Sequence, residues 1–171
     1  MNIIHDIDKA RITADKFTAV IEISRGSRLK YEIDKETGML ALDRVLKTSM
    51  VYPANYGFIP RTLSEDGDPL DVMIYMEDAV QPMSLIDCRP VGYVEMVDNG
   101  EMDEKILAVP CFSELKEVPQ DFINQVVHFS KEYKALQKNK DVKINKVGDT
   151  KAAKQIINDA IKLYEKGASK K

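Results

Sequence analysis

The chain has 171 residues, 44% hydrophobic and 31% charged, with a formal net charge of −3. That length suits one domain with a proper core, and the composition excludes a disordered or fibrous chain. A negative balance argues against nucleic acid as the main partner, and no apolar run reaches the roughly 20 residues of a membrane-spanning helix.

The start, "MNIIHDIDKARI", lacks the basic-then-apolar pattern of a secretory signal. Cys88 and Cys111 follow no metal-ligand spacing and make no disulfide framework, so a reduced, cytoplasmic setting is the default expectation. From about residue 16 to 109 the pattern is one of short strands separated by turns. "KFTAVIEIS" alternates Phe17, Ala19, Ile21 and Ile23 against Thr18, Val20, Glu22 and Ser24. "KYEID" sets Lys30, Glu32 and Asp34 opposite Tyr31 and Ile33, "KETG" turns the chain, and "MLALDRV" returns. "VYPANYGFIP" reads as tyrosines packed beside a turn. "VMIYM" and "LIDCRPVGYVEMV" continue the strands, the Asn-Gly of "DNGE" signals a hairpin, and "KILAV" pairs back.

The period then changes. From Pro119, the residues Phe122, Val126, Phe129, Tyr133 and Leu136 recur at helical spacing. A second helix is expected from Asp149 or Thr150, with Ala153, Ile156, Ile157, Ala160, Ile161 and Tyr164 inward and Gly167 as its stop. Strands followed by two helices imply an α+β fold, a closed or half-closed β-barrel with helices packed outside. A single domain over 1–171 is expected, with a mobile tail over about 166–171.

One stretch asks for a chemical explanation. "SEDGDPLDV" puts four acidic residues into seven positions, among them Asp66, Asp68 and Asp71. Two carboxylates about 5 Å apart at an effective dielectric near 20 repel by about 3 kcal/mol. Taken alone, a solvated Gly-Asp-Pro turn accounts for the stretch about as well as a site does. A calcium loop fails, because Leu70 stands where a ligand belongs and Asp71 where glycine is needed. An oxygen-rich site for Mg²⁺ or Mn²⁺ remains, with no His or Cys cluster to favour zinc.

"VDNGEMDEK" adds Asp98 and Asp103 on either side of the turn, with Lys105 on the face of Asp103. In isolation this is an exposed charged hairpin, and Glu22, Glu32, Lys30, Arg44 and Lys134 are ordinary surface groups. Tyr52, Tyr56 and Tyr133 are equally consistent with packing.

Together they match a pattern. "KYEID", "DR", "YPANYG", "EDGDPLDV", "RPVG", the Asp98/Asp103/Lys105 hairpin and "YK" occur in the order and near the spacing of the soluble inorganic pyrophosphatases of the barrel-fold type, family I. The chain resembles that family from about Phe17 to Lys138. The resemblance implies a small OB-like five-stranded closed β-barrel with additional strands and the two C-terminal helices outside. It implies an inorganic diphosphatase that hydrolyses pyrophosphate to two orthophosphates by in-line attack of a metal-bridging hydroxide, without covalent intermediate. The cofactor it implies is Mg²⁺, several ions per site, with Mn²⁺ or another divalent ion as a substitute.

The resemblance also distributes roles. Asp66, Asp71, Asp98 and Asp103 resemble direct metal ligands, and Glu22 and Glu32 act through metal-bound water. Asp68 resembles the proton acceptor. Lys30, Arg44, Lys105 and Lys134, with Tyr56 and Tyr133, resemble the phosphate-holding catalytic groups, and Tyr52 a supporting residue on the rim. The partner expected is pyrophosphate, without nucleic acid or membrane, and the assembly a homohexamer. Two departures stand out: "CFSELKEV" is shorter than the matching loop of many members, and Asn99 stands where some members carry an acid. A nucleotide hydrolase would need a base-binding surface, yet the chain has no tryptophan and no Gly-rich phosphate loop. A single-strand nucleic-acid module could stack bases on Tyr52, Tyr56 and Tyr93, but the acidic clusters would repel the backbone.

Overall fold

A computed structural model describes residues 1–138 and 140–169. Helix α1 (Ile3–Asp6) leads into strands β1 (Phe17–Ile23), β2 (Leu29–Ile33), β3 (Leu40–Val45), β4 (Asn55–Ile59), β5 (Leu70–Ile74), β6 (Leu85–Asp98) and β7 (Glu101–Pro110). Helix α2 (Gln120–Glu132), strand β8 (Val142–Gly148) and helix α3 (Thr150–Ala168) complete the chain.

Five strands form a ring. β1 pairs antiparallel with β4, β4 with β5, β5 parallel with β7, β7 antiparallel with β6, and β6 returns to β1. β8 extends the far edge of β6, and β2 and β3 form a separate antiparallel hairpin. This is the expected α+β barrel with additional strands and two C-terminal helices. Among the described residues no helix is long and apolar enough to cross a membrane.

Both faces of the ring strands are covered. Val72, Ile74, Ile106 and Ala108 enter the apolar cluster that receives Ala153, Ile157 and Ala160 of α3. Their neighbours Met73 and Leu107 enter the one that receives Phe122, Val126 and Phe129 of α2. Strand alternation therefore separates two cores instead of core from solvent. β1 is buried along all seven residues, the polar Thr18 and Glu22 included.

Several local expectations change. β4 is a strand where a turn with packed tyrosines was expected. Its Gly57 lies so close to β1 that an added Cβ would stand 1.8 Å from the Val20 carbonyl oxygen, so glycine marks a close backbone approach. β8 was not anticipated. Its Ile144 packs opposite Met96 of β6 while lysines alternate outward. Helix α2 stops at Glu132, and Leu136 is 64% exposed, so the apolar stripe ends one turn early. Helix α3 starts as expected, the Asp149 carboxylate accepting from the Ala152 N–H at 2.9 Å. It runs through Gly167 to Ala168, taking in residues 166–168 of the expected tail; Lys170 and Lys171 lie outside the described residues. The Asn99–Gly100 turn forms as expected, both residues at positive φ (50° and 84°).

Candidate active site

A cleft of about 550 Å³ opens between the β2–β3 hairpin and one end of the ring. Glu22 reaches it from β1, Lys30 and Glu32 from β2, Tyr56 from β4, Asp68 from the turn before β5, and Asp71 from β5. Strand register sets its floor. The parallel β5–β7 pairing puts Asp71 beside Lys105, whose ammonium donates to Asp71 Oδ2 at 2.8 Å and to the Tyr56 hydroxyl at 2.9 Å. Lys105 also lies 3.3 Å from Asp103 Oδ2, as expected from their shared face of β7.

The β6–β7 register pairs Asp98 with Glu101 and Met96 with Asp103. Asp98 and Asp103 are thus diagonal neighbours on one face, within reach of long side chains. Lys134, just beyond α2, donates to Asp98 Oδ2 at 2.5 Å. The other Asp98 oxygen, Oδ1, is buried without a hydrogen-bond partner among the described residues.

On the hairpin, Asp43 Oδ2 accepts from Lys30 Nζ at 2.9 Å and from Arg44 Nε at 2.8 Å. Lys30 also stands 3.7 Å from Glu32. Across the cleft mouth, Lys35 of the β2–β3 turn pairs with Asp68. Asp43 and Lys35 were not among the expected site residues, although "KYEIDK" and "DR" contain them; the missing signal was the cross-strand geometry.

Two expected residues sit differently. Tyr52 is 2% exposed, so it lies beneath the site and not on its rim, packed on Tyr56 and Phe129 at ring separations of 5.4 and 4.7 Å. Asp66 turns into its own loop, where Oδ1 accepts from the Asp68 N–H at 2.9 Å. Tyr133 serves both readings, stacking on Phe129 at 4.8 Å with the Lys134 ammonium 5.3 Å from its ring.

The charges strain against one another. Burial pushes the Glu22 carboxyl up to about 8, with Asp71 and Glu32 adding to the effect while the Ile33 N–H and Lys30 oppose it. Burial, then the Asp68, Asp103 and Asp71 charges, lift Asp66 above the usual carboxylate range, while the Asp68 N–H pulls the other way. Burial and Asp103 raise Asp71 against the pull of Lys105. Burial disfavours the Lys105 charge, yet Asp71, Tyr56 and Asp103 hold its pKa well above the ordinary value. The lysines here fill gaps between acids, but incompletely.

A hard dication fits such a donor set. Among the described residues no three acids converge tightly enough to chelate an ion as they stand. Mg²⁺ does not require that, since it keeps several waters and takes one or two carboxylates plus substrate phosphates. The unpartnered Asp98 oxygen and the raised Asp66 and Asp71 carboxyls are what a site short of positive charge presents.

Comparison with known proteins identifies the family. The family model described as inorganic pyrophosphatase matches residues 19–165. The inorganic pyrophosphatase of Campylobacter jejuni is 44% identical over 160 residues, 88% of this chain and 93% of that protein. The soluble inorganic pyrophosphatase 2 of Chlamydomonas reinhardtii is 38% identical over 168 residues, covering 94% and 87%. Among solved structures, the Thermus thermophilus inorganic pyrophosphatase superposes with a TM-score of 0.89 at 35% identity, covering 96% of this chain and 99% of that one. The Helicobacter pylori inorganic pyrophosphatase gives 0.86 at 39%, covering 92% and 99%. With its ring of strands, its acid–lysine cleft and these relatives, the chain belongs to the inorganic pyrophosphatase family.

Proposed function

We propose that this chain, an inorganic diphosphatase, cleaves pyrophosphate to two orthophosphates by direct in-line attack of water, with Asp68 as proton acceptor and no covalent intermediate. The observation that carries the reading is the interleaving of acids and cations around one cleft, with Lys105 set between Asp71 and Asp103. Among the described residues no Ser, Cys or His lines that cleft, so a covalent route through one of these residues has no candidate there.

Asp66, Asp71, Asp98 and Asp103 would hold Mg²⁺ directly, and Glu22 and Glu32 through water, with Mn²⁺ as a substitute. When bound, such ions offset the charge of the diphosphate and lower the pKa of the attacking water. The remaining work belongs to side chains. Asp68 is half exposed and paired only to Lys35 among the described residues, so its carboxylate is free to take a proton from incoming water. Lys30 and Arg44, tied together by Asp43, present two positive charges to phosphate oxygens from the hairpin side. Arg44 offers a planar fork and Lys30 a point charge. Lys105, Lys134, Tyr56 and Tyr133 hold the departing phosphate, the tyrosines donating without adding charge.

A homohexameric, cytoplasmic enzyme accompanies this reading through the family resemblance, and light scattering of the purified chain tests the assembly. The decisive experiment is phosphate release from pyrophosphate and from ATP, with Mg²⁺ and after chelation. Release from pyrophosphate that needs Mg²⁺ is expected. Preference for ATP, or turnover that survives chelation, overturns the reading.

A further inference from the structure

The turn after α2 carries a residue that the "YK" pair does not contain. Hydrogen bonds from the Ala135 N–H to the Glu132 carbonyl and from the Gln137 N–H to the Lys134 carbonyl, each 2.9 Å, wind the chain tightly beyond the helix. They bring the half-buried Gln137 side chain to β3, where its Oε1 accepts from Arg44 Nη1 at 3.0 Å. The same guanidinium donates its Nε–H to Asp43 at 2.8 Å. Arg44 is therefore gripped by its own strand neighbour and by a residue 93 positions later. Among the described residues, its Nη2 has no hydrogen-bond partner.

We infer that Gln137 is a positioning residue for the hydrolysis, fixing the plane of the Arg44 guanidinium so that its Nη2 edge stays open to a phosphate oxygen. The inference rests on the reading of Arg44 as a phosphate-holding group. A long flexible cation loses conformational freedom when it grips an anion, and tethering it beforehand reduces that loss. Glutamine is suited to the task because its amide oxygen holds the fork without cancelling its charge. Asp43 is already shared between Lys30 and Arg44, so a neutral second tether leaves more of the Arg44 charge for substrate. The same turn also ties β3 to β6, since Lys134 pairs with Asp98 on β6.

Steady-state kinetics on the full chain with Mg²⁺ test this, using Gln137→Ala, Gln137→Met and Gln137→Glu, Arg44→Ala, and the Gln137→Ala/Arg44→Ala pair. Gln137→Ala is expected to raise KM for pyrophosphate on the order of fivefold with kcat within about twofold and an unchanged melting temperature. Gln137→Met keeps the bulk without the acceptor and should match it, which covers any loss of folding in the alanine variant. Gln137→Glu keeps an acceptor at the same reach but sets a second negative charge on the fork, so its KM should stay on the order of fivefold or more above the parent, and a parental KM there overturns the argument for a neutral tether. In the Arg44→Ala background, Gln137→Ala should add nothing, as required of a residue that acts through Arg44. A parental KM in Gln137→Ala and Gln137→Met beside an impaired Arg44→Ala overturns the role of Gln137, as does an undiminished effect in the double variant. Parental kinetics in Arg44→Ala would instead overturn the reading of Arg44 itself.

Discussion

Lys105 and Asp71 face each other across the parallel β5–β7 pair, ammonium to carboxylate at 2.8 Å, with the Lys105 side chain only 6% exposed. Asp103 approaches the same ammonium at 3.3 Å, so one buried cation serves two acids. Removing one partner of such a group leaves the other charges uncompensated.

Lys105→Met should therefore destabilise the metal-free protein by about 2 kcal/mol, below the loss of a fully dry pair because Asp71 keeps some contact with water. Because Mg²⁺ can replace the missing positive charge, adding it should recover part of that loss. Thermal melts in chelator and in Mg²⁺ measure both quantities. Equal melting temperatures for variant and parent in chelator would show that the lysine does not neutralise this cluster.

Asp68 is an exposed turn residue whose partner, Lys35, is also exposed. Surface pairs of this kind contribute about 0–1 kcal/mol. Asp68→Asn should thus melt close to the parent while kcat falls by at least about 100-fold, the scale of a lost general base. Turnover near the parental rate would remove Asp68 from that role.

Arg44→Lys keeps the charge and loses the fork. A lysine cannot reach Asp43, Gln137 and a phosphate with one planar group, so kcat/KM for pyrophosphate should fall on the order of tenfold. Kinetics indistinguishable from the parent would mean that planarity is not used there.

Glu22 links the site to pH. Burial pushes its folded carboxyl up to about 8, above the ordinary 4.5, so the folded state keeps a proton that the unfolded chain has lost in between. Metal-free stability should accordingly decline as pH rises from about 5 to 8, by at most on the order of 4 kcal/mol. Glu22→Gln abolishes that titration. Urea denaturation in chelator should show the variant gaining on the parent across that window, with the difference levelling off above it. A pH-independent difference would place the charge of Glu22 outside the balance.

How much of this was legible along the chain varies residue by residue. Phe17 to Ile23, the Asn99–Gly100 hairpin and the Asp149 cap are written locally, because pleat alternation, turn chemistry and capping act within a few residues. β4 was obscured because Gly57 has no apolar pattern and is needed only for its contact with Val20. β8 was obscured because its lysines make it resemble a loop until β6 lies beside it. The candidate residues Lys105, Asp71, Lys134, Asp98 and Asp68 stood out by motif, but their pairings did not: Lys105 with Asp71, Lys134 with Asp98, and the unexpected Lys35 with Asp68 join elements far apart in sequence.

Taken alone, the order of residues determined which chemical groups were available and the class of structure that would hold them, since composition, periodicity and motif spacing are properties of the chain itself. Tertiary structure alone decided that Tyr52 lies beneath the cleft, that Asp98 keeps an oxygen without a partner among the described residues, and that Gln137 reaches Arg44. Burial and electrostatic coupling depend on distances through space, and closing the ring sets those distances.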